Sequence, residues 1–431
     1  MSREENRKNF SKYVSQNILG MIGFSCYVLA DSYFISIAKG ADGLTALNLV
    51  MPLYSIIFSI GEMIGVGSAI RYAIGKIKKD ADADDYFWNA IIWCILSSMI
   101  FVFAGIFFSA DIMRILGADE HIVAVGNNYT KIFMCFAPMF MCNYVTNAFV
   151  RNDGAPGIAM SATLFSSLFN IVFDYILMFP MKLGMEGAAL ATALSPIIGM
   201  GICSIHFFSK KSSVRLVVCK PSVRKLVAGS QLGVSAFVGE MSSAVITLAF
   251  NFVILKLAGN VGVAAYGVVA NIAIVTTAVF NGVAQGSQPL ISSCFGMGDK
   301  DGCTQLKRMG YTTAFVLAAV MYSILFIFAG QFVAVFNSEG SEMLRIYATE
   351  GVKLYFIGIF FAGINIVGGG AFSATENAFK AAVVSVARGF VLILGAVFVM
   401  SALFGMTGVW LAYAVAEGIT TFIMLVMALR V

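Results

Sequence analysis

The sequence predicts an all-α polytopic membrane protein, with about twelve transmembrane helices in two parallel-repeat six-helix bundles around a central cleft. Three observations predict it. First, the 431 residues are 59% hydrophobic and only 12% charged, with a mean hydropathy of +0.87, whereas a soluble domain carries about 25% charged residues. Second, apolar runs of spanning length, ~20 residues, recur twelve times along the chain. Third, the second half repeats the first.

The segment Met1 to Lys12 is polar and basic. The apolar run behind it is too long for a signal-peptide core and lacks a small-residue cleavage pattern, so it reads as a retained first helix. Six runs fall at about 13–38, 44–71, 87–113, 122–150, 157–181 and 186–209. Six more fall at about 226–257, 261–294, 306–336, 343–372, 377–403 and 406–429. Pro52, Pro138, Pro196 and Pro289 lie within them, which membrane helices tolerate where neighbours satisfy the freed backbone groups. The polar stretch between the sets divides the chain into a lobe at 1–209, a linker at 210–225 and a lobe at 226–431. Assigning each Lys and Arg to a span end places 21 on the linker side, Arg430 included, against 6 on the other, with Lys131 left inside the fourth run. Cationic loops stay in the cytoplasm, so both termini and the linker are expected there, in a multi-pass protein of the cell membrane.

The repeat is visible at two fixed spacings. Gly40, Gly43, Ala46 and Gly67-Ser68 match Gly259, Gly262, Ala265 and Gly286-Ser287 at a spacing of 219. Gly184-Met185 and Leu190-Ala191 match Gly405-Met406 and Leu411-Ala412 at 221. Six spans separate the copies, so both enter from the same side, and such lobes rock to expose a shared cleft alternately.

Where the repeat breaks is informative. Asp31 stands opposite Phe250, Asn170 opposite Val391, Asp174 opposite Gly395 and Thr192 opposite Tyr413. The first lobe thus has a polar set that the second lacks at these positions. Asn170 and Asp174 are four apart and share a helix face. A carboxylate at membrane depth costs roughly 2.5–3.5 kcal/mol on insertion scales and marks a functional site by default; the bland alternative is a permanent interhelical hydrogen bond. Glu240 has no basic neighbour in its run. It either faces the cleft as a substrate or proton group or bonds to Ser242 or Ser243 on its own helix. Glu62, among Gly61, Gly65 and Gly67, and Glu417 are weaker candidates of the same kind. Gln285 and Gln288 either line the cleft or bond between helices. Arg151, at the inner end of the fourth run, reads as a topology anchor.

The composition excludes several function classes. A net charge of +5 with scattered cations argues against nucleic acid. The eight cysteines include no CxxC, and His121 and His206 are too few for a metal centre. No HExxH, paired-His or GxSxG motif is present, so an enzyme is not expected. A channel is disfavoured by acids confined mainly to one lobe. The 38 Phe, 23 Met and 15 Tyr suit a pocket that accepts many shapes and organic cations, although most must face lipid or pack helices.

Several segments together resemble the multidrug and toxic-compound extrusion (MATE) family, bacterial branch. They are Ala30-Asp31-Ser32-Tyr33-Phe34, Arg151-Asn152-Asp153-Gly154-Ala155-Pro156, Asn170-xxx-Asp174, Gly187-Ala188-Ala189-Leu190-Ala191-Thr192 and Gly282-xx-Gln285-Gly286-xx-Gln288-Pro289. The similarity covers essentially the whole chain, and the order and spacing of the segments carry it. It implies a secondary active exporter of cationic or amphipathic compounds that works by H⁺ or Na⁺ antiport through alternating access, as a functional monomer without a cofactor. It also implies a coupling-cation site at Asp31, Asn170, Asp174 and Thr192, with Glu240 matching an acid used by other members. A tenth-helix Asp found in some members has no match, because that run carries only Glu350.

Both ions suit these residues. Na⁺ is a hard cation that needs several oxygen ligands. A proton needs one acid, and burial beside a second acid favours the protonated form. H⁺ is taken first and Na⁺ kept as the alternative. The rival functions are a flippase of lipid-linked oligosaccharides from the same superfamily and, from another class, a polytopic membrane enzyme.

Overall fold

The computed structural model describes residues 3–336 and 341–429, so Arg430 and the outermost terminal residues lie outside the described residues. Its helices begin with α1 (Arg3–Gly40), α2 (Asp42–Lys78) and α3 (Asp85–Ile115). Helix α4 has two limbs, Glu120–Cys135 and Ala137–Asn152, bent by 46°. The bend follows from Pro138, which cannot donate into the ladder of the preceding turn. Helices α5 (Pro156–Met178) and α6 (Met185–Phe207) complete the first half.

The second half opens with Val223–Gly296, which Gly259 divides into α7 and α8. Helix α9 runs through Lys300–Ile327 and the short Ala329–Phe336. Helix α10 spans Glu342–Ala374 with a 3₁₀ turn at Phe356–Gly358. Helix α11 begins at Ala378 and passes through a π turn at Ala387–Val391. Gly405 then separates it from α12, which ends at Leu429. Counting the bent α4 as one span and dividing the long helices at their glycines gives the expected twelve among the described residues.

The repeat is visible in the backbone. Gly40 (φ 58°, ψ −141°) and Gly259 (φ 61°, ψ −157°) turn the chain between the first two helices of each half. Gly184 (φ 54°, ψ −127°) and Gly405 (φ 60°, ψ −136°) do so between the last two. Only glycine enters this region readily. At Gly40, Gly259 and Gly405 an added Cβ would meet nothing within 4 Å, so the dihedral rather than the available space demands glycine there. All four turns lie at one end of the bundle, and the 208–222 linker lies at the other. At the linker end the helices outrun the apolar stretches: α1 starts at Arg3 and α2 continues to Lys78.

Each half has its own apolar core, but the cores trade members at the linker end. Phe10 and Val14 of α1 join the second lobe's core, and Leu232 of α7 joins the first lobe's. Small residues permit the approach, as in other membrane helix pairs. Gly282 and Gly286 of α8 lie against the backbone of Ile18 and Val14, and Gly67 of α2 lies against Gly229 and Gly233 of α7. Polar ties across the lobes lie towards the same end. Glu376 pairs with Arg71 and Lys78, Arg71 Nε donates to the Ala228 carbonyl at 3.1 Å, and Asn6 bonds to Gln305 at 3.3 Å.

Candidate functional site

Helix α5 carries its polar residues on one inward face. Asn170 and Asp174 are fully buried, Thr192 of α6 is 2% exposed and Asp31 of α1 is 6% exposed. We assign the Asn170 amide by its neighbours. Its nitrogen donates to Asp174 Oδ2 at 3.0 Å, and its oxygen accepts from Thr192 N and Oγ1 at 3.2 Å each. The opposite orientation would set the amide oxygen against the carboxylate, two acceptors without a proton between them. Asp31 lies within electrostatic reach of Asp174. One oxygen of each acid, Asp31 Oδ1 and Asp174 Oδ1, is buried without a hydrogen-bond partner. The predicted quartet is therefore brought together, with two carboxylate oxygens left to receive a cation or a proton.

Beside the quartet lies a chamber of roughly 1060 Å³, walled mainly by the first lobe, lined among others by Asn17, Tyr27, Glu62, Tyr144 and Arg151, with Glu240 of α7 contributed by the second lobe. Ser166 and Ser167 form its α5 wall, so Asn170 and Asp174 sit one and two turns beyond it. Tyr27, one turn before Asp31, lines the chamber and lies within electrostatic reach of Asp31, Asp174 and Glu240. A second space of roughly 730 Å³ lies on the other lobe's side, lined among others by Asn281, Gln285, Gln288, Asn365 and Arg388. Glu62, Val66, Glu240 and Gln285 line both. Glu240 thus faces the cleft, and the Ser242 hydroxyl donates to the Gly239 carbonyl instead.

A family model described as MatE matches residues 17–176 and again residues 236–399, once in each half. The chain belongs to the MatE family. Among curated relatives, the multidrug export protein MepA of Staphylococcus saprophyticus is 26% identical over 410 residues, which cover 93% of this chain and 89% of that protein. The protein of the same name from Staphylococcus aureus strain MRSA252 is 28% identical over 414 residues with the same coverage. A solved structure described as the outward-facing conformation of a multidrug resistance MATE family transporter superposes with a TM-score of 0.92 at 20% identity, over 99% of this chain and 96% of that one. Another, from Pyrococcus furiosus and described as having a binding pocket of reverse polarity, gives 0.91 at 19% identity over 99% and 95%. These two likenesses establish the fold.

Two expectations about this MatE chain need correction, and the second lobe adds a polar group of its own. Arg151 is no surface anchor: it is 5% exposed, its Nη1 donates to Gln285 Oε1 at 2.6 Å and to Asn17 Oδ1 at 3.4 Å, and it lines the first chamber. Arg388, one of the 21 cations assigned to linker-side span ends, is instead buried against Glu417, with Nη2 2.7 Å from Oε1. The second lobe is also not free of polar groups. Asn365 of α10 donates to Glu417 Oε2 at 2.7 Å, and Thr421 Oγ1 donates to Asn365 Oδ1 at 3.0 Å. At the positions matching Asp31 and Thr192, though, aromatic rings fill the space as the repeat break predicts. Phe250 stacks on Tyr266 at 5.0 Å, and Tyr413 stacks on Tyr355 at 4.4 Å. Asn365 escaped the sequence reading because a lone amide in an apolar run carries no pairing signal. Its partner Glu417, itself an acid at membrane depth, was the available cue.

Of the remaining candidates, Gln285 Nε2 donates to Glu62 Oε1 at 3.2 Å across the lobe boundary. Gln288 is 5% exposed, and its Oε1 is buried without a partner. Glu350 accepts from Thr407 at 2.7 Å, away from both chambers.

Proposed function

We propose that this transporter exports organic, chiefly cationic, compounds by antiport, acting as a monomer in the cell membrane with its linker end in the cytoplasm. The observation that carries the reading is the pair of unpartnered carboxylate oxygens on Asp31 and Asp174, set respectively one and two turns beyond a chamber that Glu62 and Glu240 line. Setting aside Arg151, Arg388 and Arg430, the Lys and Arg bias still favours a cytoplasmic linker end. The lobes are joined at that end, so the conformation is outward-facing on this reading.

The chemistry follows from like charges. Two ionised acids in reach of each other at membrane depth are unfavourable, and adding one positive charge relieves that repulsion. A coupling ion bound more tightly in one lobe arrangement shifts the equilibrium by its differential affinity and by nothing else. Asn170 presents its N–H₂ group to Asp174, while its oxygen is taken by Thr192. That arrangement supplies fewer free oxygens than Na⁺ needs and suits a proton, so H⁺ is our first choice of coupling ion. Cargo would meet Glu62 and Glu240 in the chamber, with Tyr27 and Tyr144 offering aromatic faces to an organic cation.

Reconstitution in liposomes tests this. Efflux of a fluorescent organic cation should follow an imposed pH gradient and persist without Na⁺. Efflux that answers only to a Na⁺ gradient would move the coupling ion to Na⁺, and efflux that answers to neither would overturn antiport. Arg388 in the second space is the feature that favours an anionic cargo such as a lipid-linked sugar. Glu417 neutralises it, and this ranks the flippase reading second.

A further inference from the structure

Arg151, Gln285 and Glu62 form a hydrogen-bonded chain that crosses the lobe boundary twice. Arg151 belongs to α4 and Glu62 to α2, both of the first lobe, while Gln285 belongs to α8 of the second. The guanidinium donates to Gln285 Oε1 at 2.6 Å, and Gln285 Nε2 donates to Glu62 Oε1 at 3.2 Å. The amide orientation is forced, because one end meets a group that can only donate and the other meets a carboxylate. Arg151 is 5% exposed and Glu62 is 8% exposed, and Arg151 Nε has no partner. The other polar ties between lobes lie nearer the linker surface. This one lies between the two chambers, where Glu62 and Gln285 line both.

We propose that Arg151 is a tethered competitor for the cargo site: it holds Glu62 through Gln285, and a cationic cargo that binds Glu62 must break this bridge and so release the deep tie between the lobes. The proposal rests on the reading of Glu62 as a cargo group. An empty chamber then keeps the lobes joined at the linker end, and an occupied one frees them to part. A cargo too weakly cationic to displace the amide leaves the tie intact, so the bridge also sets a threshold for what is transported.

The test uses the full chain in lipid nanodiscs, with tetraphenylphosphonium as the probe cation. Its affinity is measured by equilibrium dialysis, and the separation at the linker end is read from spin labels at Asp80 and Arg308. The Glu62→Gln variant should lose most binding; unchanged binding would overturn the cargo reading and this proposal with it. With Glu62 intact, Gln285→Leu removes the competitor. A hydrogen bond to a charged group contributes about 1.5–3 kcal/mol, so binding should tighten roughly tenfold or more. In that variant the label distance should already be long and insensitive to the cation, whereas in the parent it should lengthen on binding. Gln285→Asn, too short to span the gap, guards against misfolding and should change in the same direction. Unchanged or weaker binding in both Gln285 variants, while Glu62→Gln still abolishes it, would overturn the bridge alone.

Discussion

A single methyl group at Gly282 should move the whole transporter between its conformations. A Cβ there would lie 2.6 Å from Ile18 Cα and 2.8 Å from Ile18 N on α1. Ordinary contacts between carbon atoms are about 3.5–4.0 Å, so the two backbones must part by roughly 1 Å. In a rigid core such overpacking costs about 1–3 kcal/mol. Here α1 and α8 belong to different lobes, and separating the lobes at the linker end removes the clash. The cost therefore falls only on the conformation in which they meet, and the conformational ratio shifts by roughly 5- to 150-fold. Spin-label distances between Asp80 and Arg308 should gain a longer population in Gly282→Ala, and efflux should fall with the lost ability to close. Gly61→Ala is the control. Its Cβ would lie 2.9 Å from Met141 Cα, but both residues belong to the first lobe, so it should lower thermal stability without changing the distance. An unaltered distance distribution in Gly282→Ala, or an equal shift in Gly61→Ala, would refute the reasoning.

Four further outcomes are expected. Asp174→Asn should abolish gradient-driven efflux while leaving cation binding in the chamber within a few-fold of the parent, as measured by transport and dialysis in parallel. Glu417→Gln should leave Arg388 as a buried uncompensated charge and destabilise the second lobe by about 3–5 kcal/mol, read as a lower midpoint of thermal unfolding, whereas the double replacement Arg388→Met with Glu417→Met should recover most of it. Glu376→Gln removes the partner of Arg71 and Lys78 at a half-buried site; a loss of about 1 kcal/mol or less should lengthen the linker-end distance modestly, and less so at high salt if the parent is already screened. At the inner end of α4, burial alone would raise the Asp153 carboxyl, but hydrogen bonds from Ser213, His206 and Tyr72 outweigh it and hold the group below its usual range. A depressed acid stabilises above its unfolded value, ~3.9, and that contribution is lost as pH falls through the folded value. Exchange protection over residues 209–215, taken relative to the intrinsic amide rate at each pH, should accordingly be high at neutral pH and lost in strong acid, and Asp153→Asn should show the low protection already at neutral pH.

Much of the site was legible because a few side chains broke a strong local rule. Asp31, Asn170, Asp174 and Glu240 stand out in apolar runs of spanning length, and the 219 and 221 spacings show that the second lobe lacks the first three. Gly40, Gly184, Gly259 and Gly405 were visible as matched pairs, and the backbone explains them by a dihedral that recurs at each. Arg151 and Arg388 were misread for the opposite reason. Each lies near the linker side of its run, where a cation ordinarily anchors topology. Nothing local indicated that α8 would bring Gln285 to one and α12 would bring Glu417 to the other.

The number of spans, the repeat and the presence of acids that cannot rest unpaired in a bilayer are readable along the chain without any fold. Those follow from the length of apolar runs and the high energy of a charge at membrane depth, and both are properties of one segment at a time. Which helices are neighbours, which lobe faces meet and which end of the cleft is closed emerge only from the assembled bundles. In a membrane helix the lipid side and the core side are both apolar, so the pattern along a segment hardly marks the face that turns inward. The contacts of Gly282 with Ile18, of Gln285 with Arg151 and of Arg388 with Glu417 exist only once the bundles are assembled.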